Sequence, residues 1–114
     1  MRNIPSLKTY KDFQAVYSAR SSFANRYLIM YKKTVDDPEK KACIGISVSK
    51  KVGNSIIRHR ITRLIRESYR LNREKLKEGY NIIVVARPEA RELGYKEIEE
   101  AYLHLLKKQD LLKV

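Results

Sequence analysis

Residues Lys50–Arg73, KKVGNSIIRHRITRLIRESYRLNR, carry the punctuation and the period of one long helix. Gly53 interrupts what precedes it, and Asn54 or Ser55 offers a side-chain oxygen to a free backbone N–H of the first turn. No Pro or Gly follows until Gly79. At about 100° per residue, Ile57, Ile61, Leu64, Ile65 and Ser68 fall on one side. His59, Arg60, Arg63, Arg66, Arg70 and Arg73 fall on the other, with Arg58 at the boundary. Eight Lys or Arg stand against one acid, Glu67, so this stretch holds +7 of the chain's net +12. Like charges one turn apart repel by roughly a few tenths of a kcal/mol per pair, so a solvated helix face ordinarily mixes signs. An almost purely cationic face opposite an apolar one predicts a helix docked on a core and turned toward a polyanion. The plainer alternative is a soluble helix that happens to be basic.

The flanking segments read as strands. Before the helix, ACIGISVSK (42–50) puts Ile44, Ile46 and Val48 on one face, the core face. Cys43, Gly45, Ser47 and Ser49 share the other. That second face is small and polar. It is either a shallow surface that a nucleic-acid backbone can approach or a face covered by another helix. After the helix, YNIIVVARP (80–88) reads as a buried strand ended by Pro88. Strand, helix, strand predicts a βαβ unit with parallel strands, for which the general rule is a right-handed crossover.

Farther upstream, FANRYLIMYKK (23–33) reads as one strand, with Tyr27, Ile29 and Tyr31 alternating against Leu28, Met30 and Lys32. The polar stretch TVDDPEKK (34–41) reads as a hairpin loop to the next strand. Thr9 starts a first helix that ends near Ala19 or Arg20, with Asp12 in the first turn where the dipole favours an acid. Its Tyr10, Phe13, Val16 and Tyr17 recur at helical spacing. Phe13 and Tyr17 are either core residues or a stacking platform for bases. Residues 1–8 form a basic arm, expected to be loose until Pro5 or Leu7 finds a surface. Downstream, PEARELG reads as a turn or short helical segment. The last helix, YKEIEEAYLHLLKKQ, gathers Ile98, Ala101, Tyr102, Leu105 and Leu106 on one face, with His104 at the solvent or rim.

A chain of 114 residues, 43% hydrophobic and 33% charged, predicts one soluble domain with a modest core. A pI near 9.9 points to nucleic acid or another anionic surface. Neither a signal peptide nor a membrane span is expected. A single cysteine, Cys43, excludes an internal disulfide and fits a reducing cytoplasm. One Cys and two His are too few soft ligands for zinc. Asp36, Asp37 and Glu39 cluster in a turn, as a site for a divalent ion or simply as a solvated loop. No catalytic constellation emerges, and KKVGNS lacks the spacing of a phosphate-binding Walker loop. The chain reads as a binder. Arginine-rich helix, accessible sheet face and aromatics together favour RNA over DNA, since no helix–turn–helix partner is evident.

SVSKKVGNSIIRHRITRLIRE, with DFQAVY and ANRYLIMY upstream, resembles the protein subunit of bacterial ribonuclease P. The likeness runs from about Tyr10 to Leu106, and its central motif is specific: a Lys pair, Gly-Asn, then an Arg-x-Arg helix. The resemblance implies an α+β fold, a single-domain α/β sandwich. Its central, mostly antiparallel sheet has about four strands with helices around it. It also implies a left-handed βαβ crossover, against the general rule. By the same resemblance the chain is the protein component of an endoribonuclease whose catalytic centre lies in its RNA. The enzyme removes the 5′ leader of precursor tRNA, and one protein joins one catalytic RNA. Mg²⁺ is held mainly by that RNA, and no catalytic residue, metal ligand or obligate protein partner is expected in this chain. Carried over by position, Asn54, Arg58, His59, Arg60, Arg63 and Arg66 face the ribozyme RNA. Phe13, Tyr17 and Tyr31 line the leader cleft, between the first helix and the Cys43–Ser49 sheet face, with Lys50 and Lys51 at its edge. The family usually has Asn where this chain has His59. The side-chain amide is thereby given up, while His retains the capacity to donate and to stack. The alternative function is a structural or ribosomal RNA-binding protein with no part in cleavage.

Overall fold

The computed structural model describes residues 5–113. Thr9 caps helix α1 (Tyr10–Ser18) by accepting from Asp12 N at 3.0 Å. Arg20, at φ 58°, then turns the chain into strand β1 (Ser21–Ala24). The single strand expected over 23–33 is in fact a hairpin, β1 followed by β2 (Leu28–Thr34). The break is made by Asn25. Its Oδ1 accepts from Tyr27 N at 3.1 Å and Leu28 N at 2.9 Å, and its own N donates to Leu28 O at 2.9 Å. A local side-chain turn thus outcompetes continued extension.

Strand β3 (Cys43–Ser47), helix α2 (Ser55–Leu71), strand β4 (Tyr80–Ala86) and helix α3 (Tyr95–Lys108) complete the order, with short 3₁₀ turns at Arg73–Lys75 and Pro88–Ala90. The β3–α2–β4 unit is parallel as expected, pairing Ile44 with Ile82 and Ile46 with Val84. The sheet order, however, is β1-β2-β4-β3. Residues 34–41 are therefore not a hairpin loop, because β4 lies between the strands they join. That connection packs on Gly79, which sits at φ 87°. Gly79 N donates to Lys40 O at 2.7 Å and Val35 N to Gly79 O at 2.9 Å. A Cβ there would meet Pro38 O at 3.0 Å.

Both faces of the sheet are covered, which makes three layers. Leu28, Met30, Ile44, Ile82 and Val84 face α2 and α3, where Ile61, Ile65, Tyr69, Ile98, Tyr102 and Leu105 close the main core. Each such aliphatic side chain, fully buried, contributes roughly 1.5–3 kcal/mol of transfer free energy. Tyr69 belongs to the buried face of α2, although the wheel places only aliphatics and Ser68 there. The opposite sheet face presents Tyr31, Ile83 and Gly45 in one row and Ile29, Val85 and Ser47 in the next, toward α1. Half of the expected loose arm is tied down: Ile44 N donates to Pro5 O at 3.0 Å and Leu7 N to Ile44 O at 2.9 Å, bridging Ser6 to the outer edge of β3. The backbone that this edge strand would otherwise expose is thus partly covered. Residues 1–4 of the arm lie outside the described residues.

Candidate nucleic-acid interface

Asn54 starts α2 by accepting from Ile57 N at 3.0 Å through Oδ1. Its side chain is therefore already engaged as the cap. The exposed stripe that follows is Ile56, His59, Arg63 and Arg66, and Ile56 is 78% exposed. His59, Arg63 and Arg66 thus share one open face, while the other two arginines assigned to it are placed differently. The Arg60 guanidinium reaches across to the turn before α3. Its Nη1 donates to Leu93 O at 2.7 Å and its Nη2 to Arg91 O. Arg58 is half-buried on the flank, and its Nε is buried without a partner among the described residues. At the far end of the helix Arg70 pairs with Glu67 at 2.8 Å. That pairing draws the Glu67 carboxyl below its ordinary range, the Arg70 hydrogen bond being the main cause. The free positive charge on this face is accordingly concentrated at Arg63 and Arg66.

The aromatic residues assigned to a cleft do converge. The Tyr17 and Tyr31 rings meet edge to face at 4.8 Å and 84°, and Phe13 lies 6.5 Å from Tyr17. Glycine makes this possible: a Cβ on Gly45 would stand 2.7 Å from Phe13 Cζ and 3.1 Å from Leu7 Cδ1. The small face of β3 therefore divides. Gly45 is buried under Phe13 and Leu7, whereas Ser47 stays half-open. Partial burial pushes the Tyr17 phenol up, and a hydrogen bond with Ser47 partly offsets it. The platform is uncharged at neutral pH and suited to stacking. Ile29 and Val85, half-buried in the same row as Ser47, extend the floor. The sequence does not single them out, because strands apolar on both faces give no sign of which face opens. Lys50 and Lys51 are exposed in the turn that leaves β3, closed by Val52 N donating to Ser49 O at 3.0 Å. That turn runs from the cleft floor to the first turn of α2, so the two surfaces adjoin at the Lys pair.

In the 34–41 connection Asp37 Oδ1 accepts from Glu39 N at 3.0 Å. Among the described residues no three His, Cys, Asp or Glu side chains gather into a site for a metal ion. Nor, among them, is any helix long and apolar enough to cross a membrane.

A family profile described as Ribonuclease P matches residues 1–110. The ribonuclease P protein component of Alkaliphilus oremlandii is 50% identical over 112 residues, covering 98% of this chain and 96% of that protein. That of Alkaliphilus metalliredigens is 46% identical over 112 residues, covering 98% and 99%. The solved RNase P protein of Staphylococcus aureus superposes with a TM-score of 0.86 at 32% identity, covering 97% of this chain and all of the other. Sequence and fold agree, and the chain belongs to the ribonuclease P protein family.

Proposed function

We propose that this chain binds the catalytic RNA of ribonuclease P through the exposed face of α2 and the 5′ leader of precursor tRNA through the cleft under α1. Membership of the family makes it a component of a tRNA-processing ribonucleoprotein, with RNA as its partner. The division of labour within the chain is carried by one observation: a cationic helix face and an uncharged aromatic platform lie on opposite sides of one sheet and adjoin at Lys50 and Lys51. Arg63 and Arg66 meet ribozyme phosphates, and Arg58 and His59 border them. Asn54 and Arg60 keep that face in shape by capping and by tethering. Phe13, Tyr17 and Tyr31 receive the unpaired leader, with the Lys pair on its phosphates.

The chemistry of cleavage is assigned to the RNA and its Mg²⁺ ions, and the protein's part is electrostatic and entropic. Cations between two polyanions lower their mutual repulsion, and a fixed platform orients an otherwise flexible strand. Such binding weakens steeply with salt. A cytoplasmic location follows from this role.

Reconstitution with a bacterial ribonuclease P RNA tests both halves. Arg63→Ala with Arg66→Ala weakens assembly and lowers its salt sensitivity. Cleavage at the wild-type rate in low Mg²⁺ by that variant would remove the helix role. Phe13→Ala weakens binding of leader-bearing precursor and spares mature tRNA. Equal losses for the two substrates would remove the cleft assignment. A structural RNA-binding protein with no part in cleavage would bind leader-bearing and leaderless tRNA alike.

A further inference from the structure

Past the last turn of α2 lies an open cleft of about 920 Å³, on the other side of the sheet from the aromatic platform. Its floor is rigid. Tyr69 is 1% exposed, and its hydroxyl donates to Ala42 O at 2.6 Å. The Arg73 guanidinium lies over the Tyr69 ring, 5.9 Å from its centre, a cation–π contact. Lys41 and Lys75 line the same cleft and are exposed. None of these three cations forms an ion pair among the described residues, although Lys41, after the larger effect of the Lys113 hydrogen bond, helps hold the Glu78 carboxyl below its ordinary range. Glu74 and Glu78 line the cleft too, and two further lining cations are paired, Arg70 with Glu67 and Lys113 with Glu78. Leu71, 56% exposed, adds an apolar wall.

We propose that this cleft is a second RNA-binding site, which takes the phosphates of a single-stranded segment on Lys41, Arg73 and Lys75 and a base or ribose against Leu71. The inference rests on the RNA-binding reading above and adds a surface to it. Three features select this ligand. The three cations come from two separate segments, before β3 and after α2, that meet in this one cleft, which so offers more than one phosphate contact. The exposed Leu71 suits an unstacked nucleotide, which a duplex backbone does not present. Arg66 and Arg70 follow one another at about one turn on α2, and Arg73 opens the 3₁₀ turn just past its end, so a strand leaving the exposed face of that helix is led toward the cleft.

Two measurements test it. Labelled oligouridylate is titrated into the chain alone, with amide resonances followed by NMR. The amides of Lys41, Leu71 and Arg73 shift and saturate. Shifts confined to α1, Tyr31 and Ser47 would overturn the proposal. The second measurement is binding to a bacterial ribonuclease P RNA as a function of salt. Lys41→Ala with Lys75→Ala, both exposed positions that leave the fold intact, lowers affinity roughly tenfold near physiological salt. It also reduces the salt slope by roughly 1.4, about 0.7 for each single-strand phosphate no longer neutralised. Arg73→Gln acts in the same direction. A wild-type affinity and slope in both variants would also overturn it. The oligouridylate arm contains no ribozyme, so failure of the cleft and failure of the ribozyme assignment register in different arms.

Discussion

Arg60 and Arg63 stand about one helical turn apart and carry the same charge, yet their surroundings differ. Arg63 projects into solvent, while Arg60 spends its terminal nitrogens on the carbonyls of Arg91 and Leu93. A charged donor on a backbone carbonyl is worth about 1.5–3 kcal/mol, less where water competes. Arg60→Ala therefore lowers stability by about 1–2 kcal/mol, seen as an earlier urea midpoint, and Arg63→Ala leaves the midpoint near wild type. Equal midpoints would show that the tether contributes nothing. The difference is not legible in sequence. The wheel places both residues on the polar side, and the acceptors lie 31 and 33 residues away. Asn54 shows the reverse. Its cap is readable from Gly53-Asn54-Ser55, because capping is local, and the geometry adds that the amide is occupied by it.

At the scale of elements, periodicity locates all three helices and the parallel β3–α2–β4 unit, since those signals lie within each segment. It misses the Asn25 turn, because β1 is only four residues, two of them serines, and its Phe23 and Ala24 run into the apolar β2 without an evident break. It also misses the insertion of β4 between β2 and β3, a pairing of distant segments that no local pattern encodes. For the packing of α1 on β3, the pattern leaves a covered and an accessible face equally open. Both occur, and Gly45 marks the division. Gly45→Ala places a Cβ within 2.7 Å of the Phe13 ring. Overpacking of that kind costs about 1–3 kcal/mol, and the displaced ring weakens binding of leader-bearing precursor. Adding Phe13→Ala relieves the clash, so the double variant is more stable than additivity of the single changes allows. Additive losses in thermal or urea unfolding would mean that Phe13 does not set the cost of a side chain at residue 45.

Over the whole molecule, net charge is legible from composition, but the distribution of free charge is not. Arg70, Lys77 and Lys113 pair with acids, whereas Arg63 and Arg66 on the α2 face and the Lys50–Lys51 pair form no ion pair among the described residues. The tyrosines impose a second global property. Burial is the main force pushing the Tyr69 phenol up to about 12, and Tyr95 also reaches about 12 through desolvation and its hydrogen bond to Glu99. Tyr102, fully buried beside Tyr69, is raised as well. In each case the fold favours the neutral phenol, while the unfolded chain ionises near pH 10. The stabilisation is thus complete below about pH 10 and is lost as the pH climbs from there toward the folded values near 12. Melting temperatures should hold steady to about pH 9.5 and then fall. Tyr69→Phe removes one of these groups. It costs about 1 kcal/mol at neutral pH because the hydrogen bond to Ala42 O is gone, and its alkaline decline is shallower than that of the wild type. Parallel declines in the two proteins would show that Tyr69 does not couple folding to pH.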